Sequence, residues 1–359
     1  MSRSRSFGSE PPGRRQAADS LLERRLASTA PATIADESTA NLTPNQFLRR
    51  CENGIISRFG ACFRNYQLPD RWSAIACVSG DSQHDSDLWS DLKAAESYWQ
   101  ETLARIQDDL TAPAGQLLHK SSAGSRVVQL RINRPTGESA EIICKQGRVD
   151  AVTQRLGSWL KGPKEWREFW LGHRLRQLGL PTPLPLACMW RRAGFCHVEG
   201  RIVTALVANA LPIDRAVRKL EAARKEGRRS PLLDRLTHRM ADVLGTLGEN
   251  KLYHRDLKVS NVLVSDCEDD PRPWLIDLDG VGTEATPRGP RFRNMLARLV
   301  LSLSDSTDLG RTQHLRALKQ LADRTGTVKG AWKSEWNEIH SATARLAGKP
   351  RGSERDVET

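Results

Sequence analysis

The chain has 359 residues, 38% of them hydrophobic, and a mean hydropathy of −0.52. That is enough chain for one large two-lobed domain or two modest ones, and no apolar run of about 18 residues is present to cross a membrane as a helix. A net charge of +12 favours anionic partners, without choosing between nucleotide phosphates, an acidic membrane surface and nucleic acid. Seven scattered cysteines give neither C-x-x-C spacing nor a disulfide framework, which fits a reducing cytoplasm.

Residues 1–40 are Ser, Arg, Pro, Ala and Glu in no period and read as a disordered leader without an apolar signal segment. Residues 41–112 read as a helical extension of unassigned role. Phe47, Leu48, Ile55, Ile56, Phe59 and Phe63 are its first buried set. From Asp87 to Leu110, residues Leu88, Leu92, Ala95, Tyr98 or Trp99, Leu103 and Ile106 recur at helical steps.

The pattern then turns to strands. Val127–Ile132 and Ala140–Lys145, joined by a Pro-Thr-Gly turn, predict a hairpin, and alternation puts Lys145 on the face opposite Cys144. Just upstream, His119–Arg126 is built of small residues around Gly124, which lets backbone N–H groups there approach a phosphate.

Pro163–Leu178 predicts a helix with Trp166, Phe169, Trp170, His173, Leu175 and Leu178 inside, closed by Gly179 and Pro181. Glu165 and Glu168, three apart, share a face of it. Ile202–Val207 predicts a strand, Lys219–Arg229 a basic solvated stretch, and Leu232–Leu247 a buried helix.

The stretch Leu252–Gly280 carries the chemistry. His254-Arg255-Asp256-Leu257-Lys258-Val259-Ser260-Asn261 is followed by two apolar runs, Val262–Val264 and Trp274–Ile276, either side of a polar turn. A hairpin there brings Asp256 and Asn261 close to Asp277. A carboxylate and an amide near a second carboxylate suit Mg²⁺, with one acid left free to accept a proton. That is the layout of a phosphoryl-transfer site.

These residues resemble the protein-kinase catalytic loop H-R-D-L-x-x-x-N, and Asp277-Leu278-Asp279 stands where kinases carry D-F-G. The resemblance implies an α+β, two-lobed protein-kinase-like fold: a small β-rich N-lobe over 113–208 and a mostly helical C-lobe over 209–345, while the polar residues 346–359 read as a flexible tail. It implies Asp256 and Lys258 as catalytic residues, Asn261 and Asp277 as Mg²⁺ ligands, and Lys145 on the α- and β-phosphates of ATP. Glu168 would hold Lys145, with Glu165 as the fallback, while Ser122 and Gly124 stand in the place of the glycine-rich loop. His254 and Arg255 read as structural. Asp279, where D-F-G has Gly, offers a third carboxylate, with Gly280 supplying the backbone freedom one residue later.

Gly179-Leu180-Pro181-Thr182-Pro183-Leu184-Pro185-Leu186-Ala187 and Arg291-Phe292-Arg293-Asn294-Met295-Leu296-Ala297-Arg298-Leu299 resemble the bacterial lipopolysaccharide core kinases, a family that includes heptose kinases and the 3-deoxy-D-manno-octulosonic acid (Kdo) kinase. No Ala-Pro-Glu triplet follows Asp277 to build a peptide platform. The resemblance implies a kinase that uses ATP and Mg²⁺ to phosphorylate a sugar hydroxyl of a glycolipid. Such an enzyme is expected in the cytoplasm against the anionic inner membrane surface, with no nucleic-acid partner. Two alternatives stand beside it: a protein Ser/Thr kinase, and a non-catalytic pseudokinase binding partners through residues 41–112.

Overall fold

The computed structural model describes residues 63–77, 92–111, 117–122, 125–133, 139–148, 164–193, 196–222, 230–325 and 330–348. The expectations for the leader 1–40, for Phe47 to Phe59, for Gly124 and for the end of the tail lie outside the described residues.

The N-terminal part is a seven-stranded antiparallel sheet. Its strands are β1 (Phe63–Leu68), β2 (Trp72–Cys77), β3 (Leu117–Ser122), β4 (Ser125–Asn133), β5 (Ser139–Arg148), β6 (Pro185–Ala193) and β7 (Cys196–Ala205), in spatial order β1-β2-β6-β7-β5-β4-β3. Helix α1 (Leu92–Thr111) lies on one face and α2 (Lys164–Gln177) on the other. Gly179, at φ 74°, ends the α2 segment in the left-handed region where glycine is at ease.

The segment 41–112, expected as a helical extension, is only partly that. Its strands β1 and β2 join the kinase-type sheet, with β2 on the edge of β6 from Trp72↔Arg191 to Ala76↔Ala187. The strand signal is short and diluted by Ser73, Ala74 and Ala76, and Pro69-Asp70-Arg71 breaks it with two positive-φ residues. Six-residue strands of that composition carry little periodicity to read. Residue 113 is therefore not a packing boundary. Trp99, Leu103 and Ile106 of α1 share one core with Val128, Ile142, Cys144, Val203, Ala74 and Met189.

Trp99 is fully buried and its indole N–H donates to Cys77 O at 3.1 Å. Trp99→Ala is expected to destabilise the sheet by about 3–5 kcal/mol, the usual cost of a large aromatic left as a cavity. Chemical denaturation followed by far-UV circular dichroism reads this directly. An unchanged midpoint would mean that α1 is an appendage and not part of this core.

The C-terminal part runs through a two-residue β8 (Leu211–Pro212), α3 (Ile213–Ala222) and α4 (Pro231–Glu249). It continues with β9 (Leu252–His254), β10 (Val262–Ser265), β11 (Arg272–Leu275), β12 (Val281–Thr283), α5 (Pro290–Ser306), α6 (Arg311–Arg324) and α7 (Ala331–Ala347). Ser230 caps α4 by accepting from Leu233 N, with Pro231 at the first helical position. Leu236, Met240, Val243, Leu244 and Leu247 of α4 are buried. An apolar cavity of about 210 Å³ lies among α3, α4, α5, α6 and α7, away from the charged residues of the cleft. No helix among the described residues is long and apolar enough to cross a membrane.

Candidate active site

The predicted hairpin forms, with Val262 opposite Leu275 and Leu263 opposite Trp274. It starts two residues earlier than expected on its second side and leaves Ile276 as the link between two loops: Ile276 N donates to Asn261 O at 3.1 Å. Asp277 is thus held beside the end of the loop His254–Asn261.

Within that loop, Asn261 sits on a single 3-10 turn, Val259–Asn261, and is buried. Its Nδ2 donates to Asp256 O at 2.8 Å, which turns Oδ1 the other way, toward Ser260 Oγ at 3.3 Å. The side chain therefore both ties the loop together and presents an oxygen.

His254 joins the loop to the Asp277 turn. Its Nε2 faces two carbonyls, Ile276 O at 3.4 Å and Asp277 O at 3.1 Å, while Nδ1 accepts the Asp256 N–H at 3.3 Å. Only the Nε2–H tautomer of the neutral ring satisfies all three. Burial lowers the His254 pKa, outweighing the pull of those carbonyls and of Asp277, so the ring stays neutral.

Gly280 does not supply the backbone freedom expected of it. Asp277 itself adopts φ 60°, ψ 52°, a left-handed conformation that Asp tolerates better than most residues. Gly280 is needed for another reason: a Cβ there would come within 3.0 Å of His254 Cε1. Asp279 is half-buried on the turn Leu278–Gly280. No group of three His, Cys, Asp or Glu side chains poised for a metal occurs among the described residues.

Lys145 reaches across the cleft. Its Nζ donates to Glu168 Oε2 at 3.1 Å and Oε1 at 3.3 Å, and it also pairs with Asp277 Oδ1. Burial alone would lower its pKa; Glu168 and Asp277 together raise it above the ordinary lysine value. For Glu168 burial dominates and pushes the carboxyl up to about 6, with Lys145 opposing and Asp277 adding to the rise. An isolated ion pair would move its two members in opposite directions; here the dry position of Glu168 on the buried face of α2 overrides that rule. Asp277 is less buried, and Lys145 holds its pKa below the usual range despite the cost of burial.

Asp256 is open to solvent, with Lys258 Nζ 3.3 Å from its Oδ2. Ser122 ends β3 in register with Ser125 of β4. Glu165, the fallback partner for Lys145, points elsewhere. Its carboxyl lies against Gly147 and Gly200, which face each other across β5 and β7, and a Cβ at either glycine would overlap it. Burial raises its pKa.

Two supports of the loop carry no motif of their own. Met295 Sδ accepts from His254 N at 3.1 Å, and Ser302 Oγ accepts from Val259 N at 3.2 Å. Met295 falls inside the Arg291–Leu299 pattern, but nothing in its chemistry announces a contact to the backbone of the loop.

A strand lysine paired to a helix glutamate and an aspartate, above a loop with its own aspartate and asparagine, defines a protein-kinase-like fold. Residues 146–320 match the Lipopolysaccharide kinase (Kdo/WaaP) family, so the resemblance to lipopolysaccharide kinases holds over that stretch. The chain is 29% identical over 141 residues to a 3-deoxy-D-manno-octulosonic acid kinase of Haemophilus influenzae (strain 86-028NP), covering 39% of this chain and 54% of that one. It is 26% identical over 133 residues to one of Vibrio cholerae serotype O1, covering 37% and 50%. The chain thus spans about half the length of the curated relatives it matches. A solved structure titled "WaaP in complex with acyl carrier protein" is similar at 19% identity and a TM-score of 0.48, over 68% of this chain and 97% of that one.

Proposed function

We propose that this chain is an ATP-dependent kinase that phosphorylates a sugar hydroxyl of a lipopolysaccharide-type glycolipid, working at the cytoplasmic face of the membrane. The observation that carries it is the convergence of Lys145, Glu168 and Asp277 across the cleft, over the loop of Asp256 and Asn261. Similarity to the octulosonic acid kinases favours a glycolipid bearing that sugar acid.

The donor set fits Mg²⁺: a carboxylate on Asp277 and an amide oxygen on Asn261 are hard ligands, and Mg²⁺ takes one or two such groups plus phosphates and water. When bound, the ion neutralises charge on the phosphate oxygens. Lys145, its position fixed by Glu168, holds the α- and β-phosphates. Ser122 and Gly124 fall in the sequence stretch His119–Arg126 that would cover them.

Phosphoryl transfer asks mainly for placement and charge neutralisation. Asp256 accepts the proton of the sugar hydroxyl as its oxygen bonds to the γ-phosphorus, and the bond to the β-phosphate oxygen breaks with its electron pair leaving on ADP. Lys258 stands beside Asp256 to neutralise the moving phosphoryl group. His254 stays neutral and keeps the loop and the Asp277 turn at fixed spacing.

The test is incubation of the full chain with labelled ATP, Mg²⁺ and either a Kdo-bearing glycolipid or total cell protein. Label in the glycolipid is expected. Label in protein alone would move the acceptor to a polypeptide, and no turnover with either would leave a pseudokinase.

A further inference from the structure

Helix α5 packs against the loop of Asp256. Its contacts at Met295, to His254, and at Ser302, to Val259, bracket the segment that holds Asp256 and Lys258. Residues seven apart lie two turns along one face. Arg298, three beyond Met295 and four before Ser302, lies on that face, and Arg291 one heptad earlier continues it. Both arginines are exposed.

Arg291 is held in place: its guanidinium lies 5.5 Å from the centre of the Tyr253 ring, and Nη1 donates to the Tyr253 hydroxyl at 3.2 Å. Arg293, the third arginine of the helix, is engaged by Glu338 at 2.6 Å and by Arg288 O at 2.9 Å. Arg298 has neither a hydrogen bond nor an ion pair among the described residues, and its helical neighbours Asn294, Met295, Leu301 and Ser302 include no acid. The two lysines of the cleft are engaged as well, Lys258 with Asp256 and Lys145 with Glu168 and Asp277.

We infer that Arg298, with Arg291 beside it, binds an anionic group of the glycolipid acceptor and so selects which sugar hydroxyl reaches Asp256. This rests on the reading of the site as a glycolipid kinase. A guanidinium presents parallel N–H donors to a carboxylate or a phosphate. An acceptor built on a sugar acid carries the first, and a phosphorylated lipid anchor the second. The shared chemistry is an oxyanion docked along α5 while the reacting hydroxyl sits over the loop that α5 supports.

R298A and R298K in the full chain test it against three acceptors: the intact anionic glycolipid, its carboxyl methyl ester, and a form with the lipid phosphates removed. R298A is expected to raise KM for the intact acceptor about 10- to 100-fold, the size of one charge-assisted contact, with a smaller change in kcat. R298K should recover only part of this, because an ammonium cannot make the paired contact. The modified acceptor that has lost the group bound by Arg298 should give wild type and R298A equal KM values, which says whether that group is the carboxylate or the phosphate.

An unchanged acceptor KM in R298A overturns the inference. So does an equal rise in KM for acceptor and for ATP, which marks a disturbed fold. Binding to phosphatidylcholine vesicles containing the glycolipid, without ATP, gives the same comparison independently of turnover; equal binding by wild type and R298A is again against it. Failure of the kinase reading itself is visible elsewhere, in a wild type that labels no glycolipid at any concentration.

Discussion

Asp256→Asn is expected to lower kcat by about 10²–10⁴ while leaving KM for ATP within a few-fold, as loss of a general base does when the binding groups remain. The substitution removes the proposed proton acceptor and keeps its shape. What holds the loop does not depend on that carboxylate: Asn261 Nδ2 bonds the Asp256 carbonyl, and His254 Nδ1 receives the Asp256 N–H. Lys258 loses its 3.3 Å partner, but the pair is half-exposed and contributes little to stability. Single-turnover kinetics with pre-bound ATP separates the chemical step from binding. A variant that retains more than about a tenth of the wild-type rate would remove Asp256 from the role of base and favour positioning alone.

How much of this could be read from the chain depends on how local each feature is. The spacing from Asp256 to Asn261 is fixed by one turn, and the two apolar runs after it specify their own pairing, so the loop, the hairpin and the placement of Asp277 were legible. Lys145 and Glu168 are far apart in sequence, yet strand alternation and helix spacing left few choices. What decided between Glu168 and Glu165 was not periodicity, since both share a face. It was Gly147 opposite Gly200, a gap that only the sheet register creates and that Glu165 fills. Strands β1 and β2 were hidden for a similar reason. Their identity as strands comes from pairing, β2 with β6 and β1 with β2, and Ser-Ala-Ile-Ala-Cys has too little contrast between faces to show a period of two. The left-handed Asp277 was missed because glycine at position 280 offered an easier explanation.

The second large effect concerns Lys145. Lys145→Met is expected to lower kcat/KM for ATP by about 10²–10³, the usual loss when one preorganised charge is removed from a phosphate site. It also leaves Glu168 buried without its cation, at a cost of about 3–5 kcal/mol for a broken buried pair. Lys145→Met and Glu168→Gln should therefore be non-additive in activity and in unfolding free energy, with a coupling of about 0.5–3 kcal/mol. The same pair predicts an opposition in pH. Glu168 titrates at about 6 in the folded chain against an ordinary 4.5, so it binds its proton more tightly when folded. Its contribution to stability is full below about pH 4.5 and is lost as pH rises through about 6. Activity runs the other way, because only the ionised carboxylate anchors Lys145. Lowering the pH through about 6 should reduce kcat/KM for ATP while this group's effect on folding turns favourable. In Glu168→Gln that acid limb should vanish from the profile, at a lower plateau. If the limb persists unchanged in the glutamine variant, another group governs it, and Lys145 is held by Asp277 rather than by α2.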